Sequence, residues 1–216
     1  MYSVSEKFLE LIKSDNREFS VKLTFNSSIE LTGTTVKDIT LDEVVNSTDT
    51  LTFGCACSNK ITVNLLNPPK NIDYENSFFT VEIGLKLGEM PTVYEYVPLG
   101  KFYVADAETS NDYKTLKITA YDGFSKMVGN YIPGVPETTD LKDVVEDLRT
   151  QLRSNFNIEM VFNAVTPESG FSLYDMTLPT IEDLPYQQAV GYIAGCLGCY
   201  ARFNREGILE ITNYKE

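Results

Sequence analysis

The chain has no histidine and no tryptophan among its 216 residues, and its basic side chains are few: 18 Lys and Arg against 31 Asp and Glu, a formal charge of −13. Each shortage excludes something. Without histidine there is no Ser–His–Asp triad, no Cys–His dyad, no HExxH zinc site and no imidazole pH switch. A deficit of cations argues against nucleic-acid binding, because neutralising phosphates needs a surplus of Lys and Arg. No secretory signal opens the chain: residues 1–14 carry Glu6, Lys7, Glu10 and Lys13 and build no apolar core segment. The only long uncharged run, 184–201, contains Pro185, Gln187, Gln188 and three glycines, so it reads as a buried helix and not a membrane span. Phosphate loops of the GxGxxG or GxxxxGK[ST] type, EF-hand loops and SxxK motifs are missing.

What is present is apolar and aromatic. Hydrophobic residues make up 43% of the chain, with 13 Tyr and 12 Phe, which excludes global disorder and predicts one large or two small domains. Residues 3–14 read as an amphipathic helix, with a Ser3/Glu6 capping box and Val4, Phe8, Leu11 and Ile12 on one face. The period then becomes two. Phe19, Val21, Leu23 and Phe25 alternate with polar residues, as do Ile61/Val63/Leu65, Phe79/Val81/Ile83/Leu85/Leu87, Phe102/Val104 and Leu116/Ile118/Ala120. Repeated strands with short polar connections predict an antiparallel β-barrel or sandwich.

Tyr131-Ile132-Pro133-Gly134-Val135-Pro136 reads as a linker or sharp domain junction. Beyond it the period is 3.6: Leu141, Val144, Val145, Leu148 and Leu152 share a helix face, with Thr139 as the expected N-cap. A short strand at 157–162, a loop through Pro167, Gly170 and Pro179, a helix from Pro185 and a hairpin around 204–207 complete a small α/β unit, its last strand running on through Tyr214. The fold class is β-rich α+β: an N-terminal helix over 1–16, a β-barrel domain over 17–130 and a small α/β domain over 137–216.

No residue stands out as catalytic, cofactor-binding or metal-ligating. Cys55 and Cys57 with Cys196 and Cys199 supply four thiols, the number a zinc site takes, yet they fall on opposite sides of the expected junction and read as small packing residues. A thioredoxin-like role for Cys196 and Cys199 lacks its context, since the pair lies at the far end of the helix. Asp106 with Glu108, or Asp122 before Gly123, offer carboxylates for acid–base work, but read as solvated faces and a turn. Tyr94, Tyr96, Tyr103 and Tyr113 form a candidate aromatic platform for carbohydrate.

A set of phrases carries more information than any site. The segment from Met1 to Phe8 opens a short helix. Then come Thr52-Phe53-Gly54-Cys55-Ala56-Cys57-Ser58 with Ile61-Thr62-Val63, Val97-Pro98-Leu99-Gly100-Lys101-Phe102-Tyr103-Val104, and Ile118-Thr119-Ala120-Tyr121-Asp122. Gln188-Ala189-Val190-Gly191-Tyr192-Ile193-Ala194 and Asn204-Arg205-Glu206-Gly207-Ile208-Leu209 close the series. In this order they resemble the N-terminal part of tail hub (tail-associated) proteins of phages and prophages of Gram-positive bacteria, and of related contractile bacteriocins. The resemblance implies a tail-tube-like β-barrel followed by a small α/β domain. It also implies a ring-forming homo-oligomer, typically a trimer, that closes the tail tube and meets distal-tail and other baseplate proteins. The expected location is the virion tail, after synthesis in the host cytoplasm, with no enzymatic activity, no cofactor, no specific nucleic-acid binding and no membrane span. The full hubs of that family carry two barrels; this sequence has room for one, so a hub fragment or a short hub-like subunit is expected. The alternatives are a carbohydrate-binding baseplate module and, behind it, a cell-wall hydrolase.

Overall fold

A computed structural model describes residues 2–44, 53–89, 92–111, 113–135, 140–162 and 183–213. The chain divides into two compact units, and the division does not follow the sequence: residues 1–42 and 60–122 form the first, 43–59 and 123–216 the second. The class is the expected one, a large antiparallel sheet plus a small mixed sheet with helices.

The first unit starts with a helix, α1 (Glu6–Leu11), shorter than the periodicity predicts. Its N-cap is Ser5 and not Ser3: the Ser5 hydroxyl accepts a hydrogen bond from the Phe8 amide at 3.1 Å. Seven strands follow: β1 (Phe19–Phe25), β2 (Ile29–Thr32), β3 (Val36–Asp42), β4 (Lys60–Leu66), β5 (Phe78–Glu89), β6 (Thr92–Thr109) and β7 (Thr115–Tyr121), paired in the order β2-β1-β5-β6-β7-β4-β3. β2 and β3 are the two outermost strands, yet only residues 33–35 join them, and the Thr35 amide bonds back to the Thr32 carbonyl at 2.9 Å. A flat sheet would place outer strands about 29 Å apart. The connection spans at most about 15 Å. The sheet therefore curls strongly into a barrel-like wall, with no ladder between β2 and β3 among the described residues.

Alternation places the core inside that curl. Leu23 and Phe25, Ile61, Val63 and Leu65, Phe79 and Val81, Phe102, then Leu116, Ile118 and Ala120 are all buried, while their strand neighbours face outward. The connection after β4 packs against the same core. Ile72 is buried there, and the Tyr74 ring meets Phe25 edge-on at 5.4 Å. The Tyr74 phenol donates to the Pro69 carbonyl, and burial pushes its pKa up to about 12. Asn26, in the left-handed region at φ 48°, donates to Ser77, whose hydroxyl bonds the Asp73 carbonyl.

In the second unit, α2 (Leu141–Phe156) buries the five predicted apolar residues and ends on Asn157 in the left-handed conformation. Its N-cap is Asp140; Thr139 lies outside the described residues, as do the predicted loop at 163–182 and Tyr214. α3 (Tyr186–Cys196) starts after Pro185, which takes the N-cap position and not the first turn. β8 (Asn130–Tyr131) pairs with β10 (Leu184–Pro185). β9 (Met160–Phe162) runs parallel to β12 (Leu209–Asn213), which pairs antiparallel with β11 (Cys199–Phe203). The segment expected as a linker behaves otherwise at its start: Tyr131 is fully buried in this unit's core. Its phenol donates to Asp147 Oδ2 at 2.8 Å.

Candidate functional site

The long strands β5 and β6 carry the densest surface chemistry of the first unit. β1 pairs with β5 from Phe19↔Leu85 to Phe25↔Phe79, and β5 pairs with β6 as a hairpin that runs past β1 to Glu89↔Thr92. On its outward face Lys22 Nζ meets Glu82 Oε2 at 2.5 Å and stands 4.7 Å above the Tyr96 ring. That ring lies across Gly84, its partner in the ladder; a Cβ there would come within 2.7 Å of it. Glu18 accepts from Lys86 Nζ at 2.8 Å and from the Tyr94 hydroxyl at 2.9 Å. Lys101 Nζ stands 4.6 Å from the Phe78 ring and 5.6 Å from Tyr103. The helix α1 is tied to the opposite face of the same hairpin, the Ser5 amide donating to Oε1 of Glu95, the ladder partner of Leu85, at 2.8 Å.

These contacts set the electrostatics. Hydrogen bonds from Lys86 and then Tyr94 hold the Glu18 carboxyl below its ordinary value of 4.5. The Glu82 carboxylate raises Lys22, and the bond to Glu18 raises the Tyr94 phenol. The candidate aromatic platform divides accordingly. Tyr94 and Tyr96 are neighbours, 6.1 Å between centroids, and Tyr103 pairs with Phe78 at 6.0 Å. Tyr113 stands in a turn, 76% exposed at φ 56°. A sugar stacks on a bare ring face; here cations occupy faces of Tyr96, Phe78 and Tyr103. The strip is an ordered mosaic of paired Lys and Glu charges and aromatic rings.

The other sequence candidates do not converge. Asp106 and Glu108 are exposed on β6, with Glu108 3.6 Å from Lys117. Asp122 is 2% exposed, not in an open turn. None of the four cysteines is in a disulfide, and both pairs belong to the second unit, which removes the separation the sequence suggested. Among the described residues no group of three or more Cys, Asp or Glu is placed to hold a metal ion. Cys199 Sγ bonds to Asn213 Oδ1 at 3.0 Å, and burial raises the pKa of Cys196 and Cys199, which suppresses thiolate chemistry. An open groove of about 930 Å³ along α3, lined by Phe53, Leu184, Gln187, Tyr192 and Cys196 among others, contains no acid or basic side chain.

Sequence reasoning missed one polar centre. Asp147 Oδ2 accepts from the Tyr131 phenol, from the Gly134 amide at 3.0 Å and from Gln151 Nε2 at 2.9 Å, while Gln151 Oε1 accepts from the Tyr186 phenol at 2.8 Å. Desolvation first, and the bond to Asp147 second, raise the Tyr131 pKa well above its ordinary value. The available signal was the i,i+4 spacing of Asp147 and Gln151 along the border of the α2 apolar face. The donors match the acceptors, so the cluster is a structural network and not a reactive one.

No protein-family model and no curated protein matches the chain. Its fold is similar to that of solved tail proteins. A tail protein from Neisseria meningitidis MC58 aligns with a TM-score of 0.60 at 11% identity, over 89% of this chain and 50% of that one. The 43 kDa tail protein of prophage MuSo2 from Shewanella oneidensis gives 0.58 at 14% identity, over 92% and 56%. The prophage tail protein gp18 from Listeria monocytogenes EGD-e gives 0.50 at 11%, over 91% and 51%. The chain thus spans about half the length of the structures it matches, and at such identities the likeness is one of fold.

Proposed function

We propose that this chain is a structural component of a phage or phage-derived tail, a hub-like subunit of the tail tip or baseplate that closes the tail tube. The carrying observation is that the likeness to tail proteins takes in both units, 89–92% of the chain, and not the barrel alone. In this reading the chain assembles as a ring, a trimer being what the resemblance to tail hubs implies, and meets the tube or distal-tail protein and other baseplate proteins. It is made in the cytoplasm of a Gram-positive host and resides in the virion tail. It acts by assembly and not by catalysis. The Tyr- and Lys-rich strip on β1, β5 and β6 is the surface we assign to those contacts. The acidic balance, 11 basic against 16 acidic residues in the first unit and 7 against 15 in the second, suits a part past which DNA travels unbound.

Light scattering and electron microscopy of the purified chain, alone and with its tube or distal-tail partner, test the reading. Rings, or a stoichiometric complex with that partner, are expected. A strict monomer at high concentration that ignores every tail partner overturns it. A carbohydrate-binding role predicts retention on a glycan array, against which the cation-covered rings count.

A further inference from the structure

The connection between β3 and β4 sends a short segment into the second unit. There it takes up the one edge of β11 that β12 leaves free. Ala56 bridges Ala201 in parallel register, the Gly54 amide donates to the Cys199 carbonyl at 2.8 Å, and the Ala201 amide donates to the Cys55 carbonyl at 2.8 Å. Gln187 on α3 adds a side-chain bond from Nε2 to the Ala56 carbonyl at 2.6 Å. The fit demands a missing side chain. Gly54 sits at φ +79°, and a Cβ there would lie 2.6 Å from the Gly191 carbonyl oxygen and 3.0 Å from the Gly195 Cα. A Cβ on Gly191 would in turn lie 2.6 Å from the Gly54 carbonyl oxygen. Side-chain anchoring comes from small residues, the buried Cys55 and the half-buried Ala56, while Phe53, the segment's one large residue, is 61% exposed.

Main-chain pairing to a strand edge, with specificity from one point of close approach, is how extended peptides are recognised by strand addition. We propose that the free edge of β11 and the Gly191/Gly195 notch of α3 form an acceptor site for an extended peptide with glycine over the notch. The chain fills this site in cis with its own Phe53–Cys57. The α/β unit is then completed by a strand that the barrel's β3–β4 connection delivers, and it loses that strand when the segment lifts away.

Amide exchange on the full chain tests this. In Gly54→Val the Ala201 amide should exchange about tenfold faster or more, with neighbouring amides of β11 and β12 following, while amides of β4 and β7 keep their rates. A synthetic peptide of residues 53–59, kept reduced, should restore the original rate, and the same peptide with valine at position 54 should not. Unchanged exchange at Ala201, or rescue by neither peptide or by both alike, overturns the proposal. If Gly54→Val does not accumulate as folded protein, Gly54→Ala carries the same comparison with a smaller clash.

Discussion

The two units handle polarity in opposite ways. In the barrel, apart from the buried Asp122 at its end, the charges noted are outside and paired across strands, as in Lys22–Glu82 and Lys86–Glu18, while the interior is a stack of Leu, Ile, Val and Phe. In the α/β unit a carboxylate, two phenols and an amide are bonded to one another against the core, with Tyr131 fully buried. A β-ladder satisfies its own backbone, so a barrel needs no interior polar group. The α/β unit joins short elements whose ends must be met by side chains: the Gly134 amide and the Ile132 carbonyl are bonded by Asp147 and Gln151. Specificity therefore comes from side-chain alternation in one unit and from a few polar and glycine contacts in the other.

The sharpest way to break this contrast is to hollow each core. Ile118→Ala in the barrel and Leu148→Ala in α2, both fully buried, should each cost about 3–4 kcal/mol in urea unfolding. Exchange should accelerate in the mutated unit; Ile118→Ala loosening β11 and β12 as much as β4 and β7 would show that the two units are one. Next in size is Asp147→Ala, which leaves three donors without their acceptor and should cost about 2–3 kcal/mol. Asp147→Asn, which keeps one carbonyl oxygen, should recover part of the loss; equal effects would mean that packing, not hydrogen bonding, matters there.

Alkaline titration comes third. The Tyr131 and Tyr74 phenols are neutral when folded, with pKa values raised above the ordinary 10. Their stabilisation is fully present below about pH 10 and declines as pH rises beyond it, because the unfolded chain loses the proton first. Tyr131→Phe should flatten that decline for the α/β unit and Tyr74→Phe for the barrel, read as unfolding midpoints between pH 8 and 11. The smallest effects belong to the barrel surface. Lys22→Ala should cost under about 1 kcal/mol. Glu18, whose pKa is lowered, contributes a stabilisation present above its ordinary 4.5 and lost as pH falls through the folded value. Glu18→Gln should shift the acid midpoint alone, and an effect as large as that of Asp147→Ala would invert the contrast.

The barrel was legible in the sequence because its code is local: Ile61, Val63 and Leu65 declare a face within five residues. The α2 stripe was legible for the same reason at helical spacing. What escaped depends on distant partners. Tyr131 reads as linker because prolines and a glycine follow it, and only Asp147 and Gln151 on α2 reveal it as core. Ser3 and Ser5 are equivalent as letters, and the bond from Ser5 to Glu95 on β6 accompanies the choice of Ser5 as cap. The membership of 43–59 in the second unit, and with it the reunion of the two cysteine pairs, rests on pairing with β11 that no local pattern announces. The mosaic on β1, β5 and β6 was half visible: the tyrosines could be named, but not the lysines that cover their faces.

The order of the strands in the curled sheet also has a kinetic meaning. β1 pairs with β5 and β4 with β7, so ladder partners such as Leu23 and Val81, or Ile61 and Ala120, lie roughly sixty residues apart in the chain. The loop-closure entropy of those contacts is lost before the barrel wall rewards it, which places this fold among slow folders, on the millisecond-to-second scale. Until β5 arrives, β1 has only β2 to pair with, and its hydrophobic face waits in solvent. The interval before closure is the time in which strand edges can meet the wrong neighbour.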